Sequence, residues 1–399
     1  MLNTLSSIAA PLFVFGIVVF VHELGHFLAA KSVGVYAPIF SLGWGRRLFG
    51  IKRGETDYRI SMFPLGGFVR MASREDESMA GIEGGGNMDA AAAADPSVLA
   101  DAKKSAGTLW DDRAMVPFGP QPVPSQRWVE SKPMLQRLWI MSAGVIANIL
   151  LAIVVTSGVN LGYGRSFVPA VVDSVVTGGP AQAAGVLAGD TIVTVDGATI
   201  RGWTDVLDRV SAVTSGTLAV EVARASGRQT LSVSPTQADG VNPATGVAVK
   251  VGRIGIAVRN DVQHEDMGIG ESFAAGLRTT WLMSTRVVEV LKGLISRDVS
   301  VSNLAGPIGI AKISVEAASG GAEMLWSLIA FLSLNIAIVN LLPVPVLDGG
   351  QMLVAIAEGI KGSPLGAGTR EWLARAGVLF VLVLIVLVTF NDIKRLFTS

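Results

Sequence analysis

Hydrophobic positions fall into four uncharged blocks separated by stretches of different texture. Residues 1–21 carry no charge, residues 138–164 lie between Arg137 and Arg165, and residues 324–347 lie between Glu323 and Asp348. Crossing a hydrocarbon core of about 30 Å takes roughly 20 helical residues, so each block predicts a membrane span. The fourth block, 376–391 (AGVLFVLVLIVLVTFN), is shorter but strongly aliphatic and gains Trp372 and Leu373 at its start. Block one lacks the basic leader of a cleaved signal peptide and runs directly into His22 and Glu23, so it is expected to be a retained span.

Between the spans the pattern changes. Residues 36–71 hold two apolar, partly alternating runs around a Lys52-Arg53-Gly54-Glu55 turn, which predicts a β-hairpin hydrophobic enough to associate with the membrane. Residues 72–133 turn to Gly84-Gly85-Gly86, an alanine run and clustered prolines, the texture of a low-complexity insertion. In 165–262, β-branched runs alternate with turns such as Asp196-Gly197, predicting a separate small α+β domain. Within 263–323, Phe273, Leu277, Trp281, Val288, Leu291 and Ile295 mark one helical face, interrupted by Arg278, Arg286, Glu289 and Lys292. Four charges make a poor span, and an amphipathic helix lying at the membrane surface is expected.

Composition agrees with this layout. Half of the 399 residues are hydrophobic and 16% are charged, where soluble chains run near a quarter charged, so a purely soluble enzyme is disfavoured. The 32 basic and 32 acidic side chains cancel, which removes the electrostatic case for nucleic-acid binding. No cysteine is present, excluding disulfide frameworks, thiolate metal sites and cysteine nucleophiles. Lys31, Arg46, Arg47, Lys52, Arg53 and Arg59 follow the first span, so the positive-inside bias places that end in the cytoplasm. Alternation then puts 31–137 inside, 165–323 outside, 348–371 inside and the carboxyl terminus (span 372–392) outside. Lys394 and Arg395 run against that last step.

The candidate chemistry sits where span one ends. His22-Glu23-Leu24-Gly25-His26 places two imidazoles four residues apart, on one helical face, with a carboxylate beside them. Such a pair holds a metal ion while Glu23 activates water as a general base, the arrangement of a zinc hydrolase. Ionisable groups at membrane depth are costly unless paired or metal-bound, which favours a functional reading. Two of the chain's three histidines are in this one turn; the third, His264, lies in a polar stretch and is expected to be solvated. Catalytic zinc normally takes three protein ligands, so one more is required. Span three runs outside to inside, so its end returns to the membrane face where His22 lies. There stands Asp348, after Pro343 and Pro345 and before Gly349-Gly350; the alternative is an ordinary turn aspartate.

Taken together, three pieces resemble the site-2 protease family of intramembrane zinc metalloproteases (peptidase M50-like), in its bacterial RseP-like branch. They are the His22–His26 motif, the Asn340-Leu341-Leu342-Pro343-Val344-Pro345-Val346-Leu347-Asp348-Gly349-Gly350 stretch, and GGPAQAAGVLAGDTIVTVDG at 178–197, which resembles a PDZ domain of the bacterial protease type. Pro64 to Val69, Asn303 to Gly309 and Ser333-Leu334-Asn335 match as well. The resemblance implies a polytopic α-helical membrane protein with four transmembrane helices, a membrane-associated β-hairpin and a periplasmic α+β PDZ domain, in a bacterial inner membrane. It further implies one Zn2+ held by His22, His26 and Asp348, Glu23 as general base, and Asn335 and Asn340 as substrate contacts. The implied substrates are single-span membrane proteins, anti-sigma factors or remnant signal peptides, cut in regulated intramembrane proteolysis. Helical substrate hides its amides and must unwind first, so the hairpin, with Tyr58 and Ile60, is expected to bind the opened strand by edge addition. One departure is Val145 where the family has proline in Ala143-Gly144-Val145-Ile146-Ala147-Asn148, which leaves the bend of span two in doubt and Asn148 as a polar candidate.

Two other classes compete. A non-enzymatic scaffold with a structural metal has no need of Glu23, and a zinc transporter needs ionisable residues in the cores of spans two and four, which hold none.

Overall fold

A computed structural model describes residues 2–73, 123–213, 215–241, 248–259, 261–300 and 304–398. Most of the low-complexity segment, 74–122, lies outside the described residues. The chain opens with α1 (Leu2–Ser32), β1 (Ile39–Arg53), β2 (Thr56–Arg70) and α2 (Met134–Tyr163). Next come β3 (Arg165–Phe167), β4 (Val172–Val175), α3 (Pro180–Ala183), β5 (Thr191–Val195), β6 (Ala198–Thr199), α4 (Trp203–Ala212), β7 (Leu218–Arg224) and β8 (Gly227–Val233). After β9 (Thr236–Val241), β10 (Ala248–Arg253), β11 (Ile256–Val258) and β12 (Gln263–Glu265), the rest is helical: α5 (Ile269–Ser296), α6 (Pro307–Ser319), α7 (Ala322–Asn340), α8 (Asp348–Lys361) and α9 (Ala367–Thr398). Two compact units result, Met1–Thr156 with Leu304–Ser399, and Ser157–Asn303.

Among the described residues four helices are long and apolar enough to cross a membrane: Ala9–Ser32, Met134–Tyr163, Ala322–Asn340 and Gly368–Arg395. These are the four expected spans, and they make this a multi-pass membrane protein. The third ends earlier than its apolar block, because Pro343 and Pro345 cannot continue a helix and the chain turns before Asp348 begins α8. In the first unit α1 is central. Its Val14 and Val18 pack with Ile329 and Leu332 of α7, and its Ala29 and Ala30 with Ile140 and Ala143 of α2. Where α1 and α2 cross, a Cβ added to Gly25 would sit 2.4 Å from the Ala143 carbonyl oxygen, the close backbone approach that small residues allow between membrane helices.

The hairpin is more elaborate than expected. Its turn at Gly54-Glu55 is where the sequence places it, but both strands bend and pair twice. Residues 39–42 run parallel to 57–60, from Ile39 opposite Asp57 to Leu42 opposite Ile60, and antiparallel to 67–70, from Ile39 opposite Arg70 to Leu42 opposite Gly67. Residues 49–53 pair with 56–60 on the far side. Four strand segments therefore lie side by side in the order 49–53, 56–60, 39–42, 67–70. Gly43 and Gly66, both with positive φ, make the bends that β-carbon sterics would oppose. The sheet is pinned to α1 by Phe40 and Val69 against Phe27, and at its turn by Glu55, which pairs with Lys31 and Arg127. Burial pushes the Glu55 carboxyl up, but the two cations outweigh it and hold it below the ordinary range.

The described residues resume at Val123, within the stretch expected as insertion up to 133. Val123 and Trp128 bury against Ala72, and the Val129 N–H donates to the Ala72 carbonyl. The stretch before span three also folds: Gly306 caps α6, and its N–H and that of Gly309 donate to the Asp392 carboxylate of α9 at 3.0 and 2.8 Å.

The second unit holds a four-stranded antiparallel sheet in the order β6-β5-β7-β8, with β4 paired to β11, β9 to β10 and β3 to β12. Val195, Val206, Leu218, Val220 and Val222 fill its core. Asp190 closes the turn before β5, accepting from Arg224 Nε and Nη2 at 2.6 and 2.8 Å and from the Leu187 N–H at 2.9 Å. In α5 the small residues Ser272, Gly276 and Thr280 are buried, while Phe273, Leu277, Trp281 and Ile295 stay exposed. His264 lies on β12, its Nδ1 3.0 Å from the Tyr163 carbonyl.

Candidate metal centre

The His22–His26 turn lies on the half of α1 that faces α2, α7 and the sheet, and both rings are buried. Their Nε2 atoms stand 3.2 Å apart. Asp348, 322 residues after His26 and the first residue of α8, reaches the same point, with Oδ2 3.4 Å from His22 Nε2 and Oδ1 3.4 Å from His26 Nε2. One ligand atom from each of the three lies within 4.8 Å of the others.

These spacings test the fit of zinc. Tetrahedral bonds of about 2.0–2.1 Å separate ligand atoms by about 3.3 Å; the two Nε2 atoms here are 3.2 Å apart, and each ring nitrogen has its own Asp348 oxygen at 3.4 Å, Oδ2 for His22 and Oδ1 for His26. Asp348 Oδ2 is buried without a hydrogen-bond partner, an acceptor that a cation would satisfy. At most one proton fits between the two imidazole nitrogens, so the donor set suits a divalent ion of the nitrogen- and oxygen-binding kind.

Outer partners orient the candidate ligands. His26 Nδ1 donates to the Ile140 carbonyl of α2 at 2.8 Å, which leaves Nε2 as the free acceptor. His22 Nδ1 lies 3.4 Å from the Asn148 amide, while Asn148 Oδ1 has no partner. Turning that amide over lets Oδ1 accept from Nδ1–H, so that His22 too presents Nε2. The Asn148 carbonyl in turn accepts from Ser333 of α7 at 2.8 Å. Asn340 Nδ2 sits 3.1 Å from His22 Nε2.

Glu23 points into the same space. The Gly67 position on the open edge of the sheet is so near that an added Cβ would lie 3.4 Å from Glu23 Cγ, and the Val69 backbone amide is turned toward its carboxylate. A cavity of about 330 Å³ opens here, with His22, Glu23, His26, Asn340 and Asp348 on its polar side and Val69, Met71, Val129, Met141 and Leu347 on its apolar side.

Not all expected residues converge. Asn335 donates to the Phe331 carbonyl of its own helix and does not line the cavity. Tyr58 and Ile60 belong to a strand paired on both sides, so no further strand can add there; their exposed side chains share a face with Phe49 and Ile51. The sheet edge near the cavity is 67–70. Residues that sequence reasoning gave no role include Gly144, where an added Cβ would fall 2.3 Å from His26 Nε2, and Ile140, which acts through its carbonyl. Gly144 stood inside the Ala143–Asn148 motif, but a backbone carbonyl leaves no signature in sequence.

What this geometry defines is a metallohydrolase site enclosed by membrane-length helices. The chain matches Peptidase family M50 over residues 10–384. It is 30% identical over 430 residues to the zinc metalloprotease RasP of Bacillus licheniformis, covering 98% of this chain and 100% of that one. It is likewise 30% identical over 429 residues to the regulator of sigma-W protease RasP of Bacillus subtilis, covering 98% and 99%. With a putative zinc metalloprotease of Agrobacterium fabrum it shares 32% over 388 residues, covering 96% and 94%. The chain belongs to peptidase family M50 and is a zinc metalloprotease of the site-2 protease type.

Proposed function

We propose that the protein hydrolyses peptide bonds within the membrane-spanning segments of single-span proteins, with His22, His26 and Asp348 as the zinc ligands and Glu23 as general base. The observation that carries this reading is the convergence of the three ligands and Glu23 in one cavity whose walls come from membrane-length helices and a sheet edge. Bound zinc supplies a Lewis acid that polarises the scissile carbonyl and acidifies water. Glu23 takes the proton of the attacking water and delivers it to the leaving amide nitrogen. Asn340 hydrogen-bonds the opened substrate, and the 67–70 edge pairs with it as an added strand. For Asn335 a substrate contact requires a rotamer that releases Phe331.

By its relation to a regulator of sigma-W protease, the substrate class is that of membrane-anchored transcriptional regulators, anti-sigma factors among them, with remnant signal peptides as the second class. The second unit acts as a periplasmic PDZ domain that turns away substrates with a bulky outer domain, and α5 lies on the outer surface of the inner membrane through Phe273 and Trp281.

The test expresses wild type, Glu23→Gln and Asp348→Asn with a tagged single-span reporter, its outer domain either intact or trimmed. Glu23→Gln should retain zinc and lose cleavage by about 10²-fold or more. Asp348→Asn should lose both. Wild-type cleavage by Glu23→Gln overturns the mechanism, and equal cleavage of intact and trimmed reporters overturns the filter.

A further inference from the structure

Helix α8 carries Asp348 at its first position, yet little apolar packing holds the helix along its axis. Of its hydrophobic side chains only Ala355 is fully buried, while Leu353 and Ile360 are exposed. Its other buried anchor is a carboxylate. Glu358, 5% exposed, accepts from Arg137 Nη1 of α2 at 2.8 Å, from Arg370 Nε of α9 at 3.0 Å and from the Leu365 N–H at 2.8 Å. Both guanidinium groups are themselves almost buried. Burial alone would raise the Glu358 carboxyl; the Leu365 amide and the two arginines outweigh it and hold the group below the ordinary carboxylate range, ionised. One residue on, a Cβ added to Gly359 would strike Met134 Sδ at 2.4 Å, so α8 and α2 also meet backbone to side chain.

Arg137 stands one turn before Ile140, the residue whose carbonyl orients His26. We propose that the buried Arg137–Glu358–Arg370 cluster is a positioning clasp for the metal centre, fixing the axial register of α8 against α2 so that Asp348 arrives at the two histidines. The proposal rests on the zinc-site reading above. A buried ionic cluster favours one register, since sliding the helix strands charges in a low dielectric. Ten residues separate Glu358 from Asp348, about 15 Å of helix, and a rigid rod passes an axial shift undiminished to its far end. Metal ligation tolerates errors of only about 0.2 Å.

The full-length protein in detergent is titrated with zinc against a competing chelator, and amide hydrogen exchange across 348–361 is followed in zinc-free protein. Glu358→Gln, which keeps the shape and the Leu365 hydrogen bond, should weaken zinc binding by about tenfold or more and speed exchange in α8. Arg370→Lys serves as the milder variant should Glu358→Gln not accumulate, and should weaken zinc binding in the same direction. Asp348→Asn separates the outcomes. If it binds zinc as wild type does, the zinc-site reading fails; if it loses zinc while Glu358→Gln and Arg370→Lys keep wild-type affinity and exchange, the clasp is refuted and the site stands.

Discussion

At the scale of single residues, the site depends on what is left out as much as on what is present. Gly144 lets α2 lie against both imidazoles, and any side chain there enters the space that His26 Nε2 occupies. Gly144→Ala is therefore a sharp probe. Helix propensity favours alanine by about 1 kcal/mol, yet a contact of 2.3 Å must be relieved by moving the ring. The expected result is a helix at least as stable and a zinc affinity lowered about tenfold or more, read by chelator competition. Unchanged affinity would show that His26 has room that the packing denies. The three converging side chains were legible because their chemistry is carried by side chains at fixed spacing and by chain order: His22 and His26 by the helical turn, Asp348 by its place at the end of span three. Ile140 was not, since any residue type supplies a carbonyl, and Asn335 resembled its family position without the side chain being turned to the cavity.

At the scale of elements, alternation along 36–71 located two strands and their turn, but nothing local states that residues 39–42 pair with two partners at once. The doubled pairing is decided by the bends at Gly43 and Gly66 and by the apolar wall of α1. It makes 67–70, beside Glu23, an outer segment of the sheet in place of the strand of Tyr58 and Ile60. A substrate strand added there passes Met71 and does not reach Phe49 on the opposite edge. The chain has no cysteine, so single cysteines report without background. In a Glu23→Gln background, Met71→Cys should form a disulfide with a cysteine in the reporter's span, and Phe49→Cys should not. Capture by Phe49→Cys as readily as by Met71→Cys would place the substrate elsewhere.

At the scale of the whole molecule, the two units depend on different chemistry and should respond to different perturbations. The metal centre draws on α1, α2, α7 and α8 of one unit, so bound zinc stabilises that unit by mass action, by about 2.7 kcal/mol when free zinc is 100 times Kd. The other unit contains none of the three ligands. Its buried Asp190 is held below the ordinary carboxylate range first by the Arg224 hydrogen bond, against burial, and further by the Leu187 amide. A carboxyl whose folded pKa is depressed contributes stability that is complete above its unfolded pKa of about 3.9 and is lost as pH falls toward the folded value. Differential exchange on the intact protein should separate the two effects. Chelation at pH 7 should speed amide exchange in 2–73, 134–156 and 322–361 and leave 165–233 unchanged. Lowering the pH below about 4 should loosen 165–233 whether or not zinc was supplied, and Asp190→Asn should reduce that acid sensitivity while lowering stability at neutral pH. Chelation that loosened 165–233 to the same degree would mean that the two units unfold as one.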